Sequence, residues 1–106
     1  MVAELSCEQL KQWMDQQVDH ILVDVRTDEE RAFACIEPSI HLTSAEDVET
    51  LLNQPDGRPV VFYCHHGIRS FSAASWFVQR GLKRAYNLTG GIDTWSQRID
   101  PNIPVY

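Results

Sequence analysis

The feature that most constrains this fold is an alternation of short apolar segments with helical segments along the 106 residues. Residues 20–25 and 60–63 are almost continuously apolar, which is typical of strands that are buried on both faces. Segments with the helical i, i+3, i+4 spacing of apolar side chains separate them. Strands that alternate with helices favour right-handed crossovers and a parallel sheet. We therefore predict an α/β fold with a central parallel sheet flanked by helices on both faces.

Helix starts and stops are marked by residues with known capping preferences. Three helix starts are predicted from residues whose side chains can accept hydrogen bonds from free amides. The first is Ser6 with Gln9, before an apolar face formed by Leu10, Trp13 and Met14. The second is Thr27 with Glu30, before a short helix to about Phe33. The third is Thr43–Ser44, before a helix that carries Val48, Leu51 and Leu52. A fourth helix is expected from about Ser70 to Arg80, ended by Gly81. A short fifth helix is expected around Trp95.

The remaining elements are short strands and turns. Residues 40–42 and 85–88 are candidate strands, and Pro55–Pro59 has the composition of a turn. No repeat, low-complexity tract or linker divides the chain, and its length suits one domain. We expect a single domain over residues 1–106, with its core at about 16–104.

Charge and composition exclude several classes of protein. The net charge of −6 argues against nucleic acid and anionic membrane as main partners, because both favour basic surfaces. No apolar run approaches the roughly 20 residues of a membrane span, and the first residues lack the basic start of a signal peptide. We therefore expect a cytoplasmic protein that binds neither nucleic acid nor membrane. A small anionic substrate is compatible with this charge, because salt screens a distant acidic surface.

Three cysteines, Cys7, Cys35 and Cys64, constrain the chemistry. An odd number of cysteines in a chain without a secretory signal does not indicate a disulfide framework. The adjacent Cys64, His65 and His66 lack the spacing of zinc ligands, so we expect no structural metal site. Ligands of parallel sheets bind beyond the carboxyl ends of the strands. That rule places Cys64 on the active edge and Cys35, which follows a returning helix, on the opposite side, while Cys7 has no expected role.

The segment from Tyr63 to Ser70 carries the most specific signal. Cys64 ends a buried strand, a short loop with Gly67 follows, and a helix then begins. Consecutive loop amides can form an anion-binding concavity, and the helix start adds free N–H groups and a positive dipole end. A cysteine in this position is expected to have a lowered pKa. Arg69 adds a permanent charge with a planar fork of donors, and Gly67 permits a backbone conformation that other residues resist. An ordinary buried cysteine explains neither of these neighbours.

At this segment the chain resembles the active loop of single-domain rhodaneses. The shared pattern is Cys-x-x-Gly-x-Arg-Ser after a Val-Val-Phe-Tyr strand, here Val60–Ser70. Three other segments are similar to the family's motifs: Asp24-Val25-Arg26 followed by Glu29-Glu30, Gly90-Gly91 four residues before Trp95, and the C-terminal residues Asp100–Tyr106. The resemblance covers nearly the whole chain, and the order and spacing of the motifs together are highly specific.

The resemblance implies a sulfurtransferase. Thiolate Cys64 would attack the outer sulfur of a small anionic donor such as thiosulfate and become a persulfide. An acceptor, which could be cyanide, a thiol or a sulfur-carrier protein, would then remove that sulfur. No cofactor or metal is expected. The residues that would bind the substrate and stabilise the thiolate and the persulfide are His65, His66, Gly67, Ile68 and Arg69.

One stretch departs from the family pattern. Members commonly carry Gly-His-Ile-Pro-Gly-Ala before the second core strand, whereas residues 34–39 here read Ala-Cys-Ile-Glu-Pro-Ser. The proline is displaced by one position and both glycines are absent. We expect a different turn there, on the face away from Cys64, with little effect on the chemistry.

Other polar residues near the loop have two candidate roles each. His65 and His66 are candidates for a general base, but a thiolate held by amides needs none, so we favour a role in shaping the loop rim. Asp24 and Arg26 are supporting residues that could contact substrate, and we favour a structural tie to nearby backbone or to an acidic side chain at 29 or 30. Ser70 is a third supporting residue. The tryptophans expected in the core are Trp13, Trp76 and Trp95.

Two other classes of protein compete with the sulfurtransferase. Cysteine phosphatases and arsenate reductases also use a strand, a loop and a helix with an arginine, but their loop is one residue longer. Only four residues lie between Cys64 and Arg69, which favours a tight concavity suited to one sulfur atom over a tetrahedral oxyanion. A non-catalytic binding module with this fold would need neither Cys64 nor Arg69.

Overall fold

The structure is a computed structural model that describes residues 1–54 and 57–106. The predicted α/β class is confirmed. No helix in these ranges is long and apolar enough to cross a membrane. The elements are β1 (Val2–Leu5), α1 (Cys7–Asp15), β2 (Ile21–Asp24), α2 (Asp28–Phe33), β3 (Ile40–His41), α3 (Ala45–Leu52), β4 (Val60–Tyr63), α4 (Ile68–Gln79), β5 (Ala85–Leu88) and α5 (Gly91–Arg98).

The strands form one parallel sheet in the order β1-β5-β4-β2-β3. All four side chains of β4, the central strand, are buried, and they alternate between the two faces as pleating requires. One face packs against α1 and α5, and the other against α3 and α4. The first cluster includes Leu10, Val61, Tyr63 and Trp95, and the second includes Leu51, Val60, Phe62 and Phe77.

Most predicted helix starts are confirmed. Ser6 and Thr27 head capping boxes with Gln9 and Glu30, and Ser44 caps α3. The fourth helix begins at Ile68, two residues earlier than predicted, because the loop glycine itself occupies its N-cap. The predicted turn Pro55–Pro59 lies partly outside the described residues, which exclude positions 55 and 56.

The first strand was not predicted from the sequence. Val2–Leu5 pairs in parallel with β5, at the edge of the sheet. An edge strand of four residues that carries Ala3 and Glu4 on exposed positions has too little apolar character to indicate a strand. The core also extends further toward the N-terminus than the expected boundary at about residue 16, because Leu5, Cys7 and Leu10 are buried.

The expected burial of the tryptophans is wrong for Trp76. Trp95 is buried and Trp13 packs against the same cluster, but 40% of Trp76 is exposed. On α4 the buried face is formed by residues such as Ala74 and Phe77, and adjacent positions on a helix point about 100° apart. Trp76 therefore lies at the edge of the exposed face.

A buried ion pair fixes the carboxyl end of β2. Asp24 accepts hydrogen bonds from Arg26 through its backbone amide (3.0 Å), Nε (2.9 Å) and Nη2 (2.8 Å), and from the Tyr63 hydroxyl at the end of β4 (3.0 Å). Arg26 also donates to the Ala34 carbonyl (2.6 Å). Burial alone would raise the pKa of Asp24, but its hydrogen bonds to Arg26 and Tyr63 outweigh burial and lower it. These contacts are those of a structural tie.

Replacement of Asp24 by Ala should lower the free energy of unfolding by about 3–5 kcal/mol, because it leaves Arg26 buried without its counter-charge. The matched control is Asp19→Ala, which removes the exposed pair with Arg58 (3.2 Å) and should cost at most about 1 kcal/mol. Urea unfolding at neutral pH measures both.

The lowered pKa of Asp24 also sets a pH dependence for this prediction. Its contribution should be complete above the pKa of an unfolded aspartate, about 3.9, and should be lost as pH falls through the folded value. Similar losses in the two variants would contradict the structural role of the pair.

Candidate active site

Cys64 follows β4 directly, at the carboxyl edge of the sheet, and is 1% exposed. Its Sγ accepts three hydrogen bonds from the loop and helix start that follow. The donors are the Gly67 amide (3.1 Å), the Ser70 amide (3.3 Å) and the Ser70 hydroxyl (3.3 Å). Within the described chain, the amides of His65, Ile68 and Arg69 make no hydrogen bond to this sulfur. Three donors therefore converge on one atom.

These donors determine the acidity of the thiol. Burial by itself would raise the pKa of Cys64. The hydroxyl and amide of Ser70 and the amide of Gly67 outweigh burial and lower the pKa below its ordinary value, with a smaller effect from the nearby His66 amide, which makes no hydrogen bond of regular geometry to the sulfur in the described loop. Hydrogen bonds that favour the charged form act in this direction. The thiolate is therefore favoured without a neighbouring base.

Gly67 gives the loop its shape. It has a φ of +101° and forms the N-cap of α4. This left-handed region is costly for residues with a side chain, and a Cβ here would also lie 3.3 Å from the Gly90 amide nitrogen. The conformational role predicted for Gly67 is present in the structure.

The start of α5 supports the loop through its free amides. Ile92 donates to the Cys64 carbonyl (2.9 Å) and Asp93 donates to the His65 carbonyl (3.0 Å). The approach is so close that a Cβ on Gly91 would lie 2.4 Å from the Cys64 carbonyl oxygen. The second glycine of the Gly90-Gly91 pair is therefore required by packing against the backbone of the active loop.

Asn87 is a site residue that the sequence analysis missed. Its Oδ1 lies 2.5 Å from the Ser70 hydroxyl, and its Nδ2 donates to the Gly67 carbonyl (3.0 Å) and to the Glu4 carboxylate (3.2 Å). The hydroxyl has one proton, so Asn87 and Cys64 share it. The sequence did contain a signal for this role, because Asn87 is a polar amide within the otherwise largely apolar strand 85–88.

Arg69 is engaged with a carboxylate. Its Nη1 and Nη2 donate to the two oxygens of Glu30, at 2.8 and 2.9 Å. The Tyr106 hydroxyl donates to the same carboxylate (2.7 Å). The hydrogen bonds from Arg69 hold the pKa of Glu30 well below its usual range, and the pairing raises the pKa of Arg69. The guanidinium is about half exposed, so solvent screens this pair.

The two histidines stack beside the loop. The His65 ring lies between the Tyr106 ring, at 3.9 Å, and the His66 ring, at 3.8 Å. Neither ring hydrogen-bonds to Cys64 in the described structure, so the contacts match a loop-shaping role better than a general base.

Comparisons with known proteins identify the family to which the chain belongs. The sequence profile of the family described as "Rhodanese-like domain" matches residues 6–98. The chain belongs to the rhodanese-like domain family. A protein named "Sulfurtransferase" from Allochromatium vinosum is 36% identical over 103 residues, covering 97% of this chain and 96% of that protein. "Thiosulfate sulfurtransferase GlpE" of Coxiella burnetii is 36% identical over 77 residues, covering 73% and 72%.

A solved structure confirms the rhodanese-like fold. The crystal structure of a rhodanese-like domain protein from Staphylococcus aureus superposes with a TM-score of 0.78 at 23% identity, covering 99% of each chain. The expectation of a rhodanese-like enzyme, first drawn from the motifs, is confirmed by the family match and the curated relatives.

The other cysteines of this rhodanese-like domain lie outside the loop. Burial, with a smaller effect of Glu8, raises the pKa of Cys7 to about 11. Cys35 was expected on the opposite side of the sheet, but α2 has only six residues and does not carry the chain that far. Ala34 and Ile36 hydrogen-bond to Arg26 and Tyr63. Cys35 lines a cavity together with Met14 of α1 and Trp95 of α5, on the face of the sheet that these two helices cover.

One group of described side chains is close enough to share a metal ion. Ligand atoms of His65, His66 and Asp93 lie within 4.8 Å of one another. The two imidazole rings are stacked, with centroids 3.8 Å apart and an interplanar angle of 31°. The chemistry proposed below does not use this group, and we assign it no metal.

Iodoacetamide should alkylate Cys64 at lower pH than Cys7, because hydrogen bonds lower one pKa and burial raises the other. Ser70→Ala should move the Cys64 profile to higher pH by removing one donor. Ser72→Ala, on the exposed side of the same helix, should leave the profile unchanged. Peptide mapping by mass spectrometry measures each cysteine separately. Coincident profiles for Cys64 and Cys7, or equal shifts in the two serine variants, would contradict the proposed cause.

Proposed function

We propose that this rhodanese-like domain moves sulfane sulfur from a small anionic donor such as thiosulfate to a thiophilic acceptor, through a persulfide on Cys64. The observation that carries the proposal is the convergence of three hydrogen-bond donors on the Cys64 sulfur. Relatives named as sulfurtransferases at 36% identity support the reaction class. No cofactor takes part in the proposed chemistry.

In the first half-reaction the Cys64 thiolate attacks the outer sulfur of thiosulfate. A new S–S bond forms to Cys64, the S–S bond of the donor breaks, and sulfite leaves with its electron pair. The lowered pKa supplies the thiolate directly, so neither His65 nor His66 is needed as a base.

The start of α4 has donors for the transferred sulfur. The first amides of a helix have no acceptor within the helix, and those of Ile68 and Arg69 make no hydrogen bond to Cys64. They are therefore available for the negative charge that moves to the outer sulfur, and the helix dipole favours this charge. Ile68 is 78% exposed, so the start of α4 lies at the protein surface.

Arg69 is proposed to attract the sulfonate part of the donor. Two of its five N–H groups are used by Glu30, so the remaining donors can meet an anion while the pair persists. The same carboxylate repels an approaching anion. Arg69 and Glu30 therefore oppose each other in donor binding.

In the second half-reaction an acceptor attacks the outer sulfur of the persulfide. The bond between Cys64 Sγ and the outer sulfur breaks, and its electron pair returns the Cys64 thiolate. Cyanide, a small thiol or a sulfur-carrier protein can act as the nucleophile. A cytoplasmic location is part of the same proposal, because three free cysteines suit a reducing compartment.

The competing phosphatase function is less well supported by the contacts. A transferring phosphoryl group needs donors for several equatorial oxygens, whereas the donors here converge on Sγ itself. A non-catalytic binding module would not require a cysteine whose pKa is lowered, so the lowered pKa of Cys64 favours an enzyme.

Incubation with thiosulfate should add the mass of one sulfur atom to the chain, and cyanide should remove it. Cys64→Ser should abolish the adduct, while Cys35→Ser should retain it, because Cys35 lies outside the loop. Intact-mass spectrometry measures the adduct, and p-nitrophenyl phosphate serves as the phosphatase substrate. Phosphatase turnover without a sulfur adduct would overturn the proposed function.

Arg69→Ala should slow persulfide formation from thiosulfate by about 10- to 100-fold, or roughly 1.4–2.7 kcal/mol, and should affect discharge to cyanide much less. Glu30→Gln should have the opposite effect and lower the KM for thiosulfate, because it removes the opposing charge and keeps an oxygen for the capping box. The matched control is Glu29→Gln, an exposed neighbour with the same change of charge. Single-turnover measurements separate the half-reactions, and equal slowing of both by Arg69→Ala would show that Arg69 only shapes the loop.

A further inference from the structure

Acidic residues are absent from one third of this acidic chain. None of its 15 Asp and Glu residues falls between positions 57 and 92, whereas five of its nine Lys and Arg residues do. This segment contains β4, the active loop, α4 and β5. The chain therefore combines a net charge of −6 with one sequence segment whose only charged residues are basic, and the active loop belongs to that segment.

Helix α4 belongs to this segment, begins at the active loop and presents one side to solvent. Its outward side, here named the α4 face, includes Ile68, Phe71, Ser72, Ser75, Trp76, Gln79 and Arg80. Ile68, Phe71 and Trp76 are among the exposed large apolar residues of the described chain, at 78%, 45% and 40%. At 1.5 Å per residue the face is about 18 Å long, enough for about twelve residues of a second helix.

The shape of the α4 face suits a protein segment. Phe71 and Trp76 lie about 140° apart on the helix, with Ser72, Ser75 and Gln79 between them. The guanidinium of Arg80 lies 3.6 Å from the Trp76 ring centroid, so an aromatic ring and a cation are presented together. Aromatic residues and arginine are the types that contribute most to protein interfaces.

Two carboxylates near the loop end of this face are engaged. Glu30 pairs with Arg69 at the loop end of the helix. Glu4, beside Phe71 in a shallow cavity, accepts hydrogen bonds from Asn87 and Thr89. Within the described residues Arg80 has no ion-pair partner. The face therefore has a cation available for a partner's carboxylate.

We propose that the α4 face docks an acidic, amphipathic segment of the protein that accepts sulfur from Cys64. The proposal deepens the proposed function, since it rests on the Cys64 persulfide. Apolar side chains of the partner would pack between Phe71 and Trp76, and its carboxylates would meet Arg80. The face starts at Ile68, four residues after Cys64. A partner segment docked on it could therefore place a thiol at one of its ends next to the outer sulfur.

The transfer itself is a thiol–persulfide exchange with no net oxidation. The acceptor thiol releases its proton to solvent, and its thiolate forms an S–S bond to the outer sulfur. The bond between that sulfur and Cys64 breaks, and its electron pair stays on Cys64. The products are an acceptor persulfide and the Cys64 thiolate.

Two synthetic helical peptides test the charge preference of this face. The first peptide presents Leu and Glu residues together on one side of its helix and ends in a single Cys. The second peptide is identical except that Lys replaces every Glu. Each is mixed with the domain preloaded with sulfur, and intact mass gives the rate of transfer. The acidic peptide should accept sulfur several times faster at low ionic strength, and its advantage should shrink in salt.

Variants of the α4 face separate docking from chemistry. Arg80→Glu should reduce the advantage of the acidic peptide by about two- to fivefold, the range expected for one exposed ion pair. Trp76→Ser should slow transfer to both peptides. Both variants should discharge to cyanide at the normal rate. The matched control is Arg98→Glu at the end of α5, on the other face of the sheet, which changes the charge equally and should keep the peptide preference.

The outcomes distinguish the two proposals. Equal transfer to both peptides, or an equal loss in the Arg98→Glu control, would overturn the docking surface while cyanide discharge still supports the Cys64 persulfide. Absence of any sulfur adduct would overturn the proposed function. The docking surface would then be tested alone with an acidic peptide in which Ser replaces Cys, and tryptophan fluorescence would measure its binding. Arg80-dependent binding to anionic phospholipid vesicles, without a peptide preference, would show that the face meets a membrane instead.

Discussion

Two hydrogen bonds from the first amides of α5 to the carbonyls of Cys64 and His65 hold the active loop in place. They form because Gly91 lets the two backbones approach more closely than any side chain would allow. With those carbonyls fixed from one side, the loop amides turn toward Sγ on the other. The position of Cys64, the proposed nucleophile, therefore depends on Ile92 and Asp93, which follow β5 and are far from Cys64 in the chain.

Glu30 connects several parts of the site. It completes the capping box of α2, accepts two hydrogen bonds from Arg69, and accepts one from the Tyr106 hydroxyl. A helix start, the active loop and the C-terminal segment thus meet at one carboxylate. Its proposed effect on donor binding is a consequence of this position, since the carboxylate charge that orders the rim would also oppose an incoming anion.

The sequence allowed prediction of what depends on neighbours in the chain. The capping pairs, the buried central strand and the Cys64–Ser70 loop are local patterns, and each appears in the structure. Contacts between distant residues could not be predicted in this way. Arg69 meets Glu30 across 39 positions and Asn87 meets Glu4 across 83, and neither pair has a periodic or capping signal. The missed edge strand β1 depends on β5 in the same manner.

In the proposed reaction the single proton of Ser70 has a further consequence. In the thiolate form the hydroxyl can point to Cys64, and in the proposed persulfide, when the charge has moved to the outer sulfur, it can point to Asn87 at 2.5 Å. A buried donor left without an acceptor would cost about 1–3 kcal/mol. Rotation about one C–O bond avoids that cost in both states, so the site can hold empty and loaded cysteine without moving its backbone.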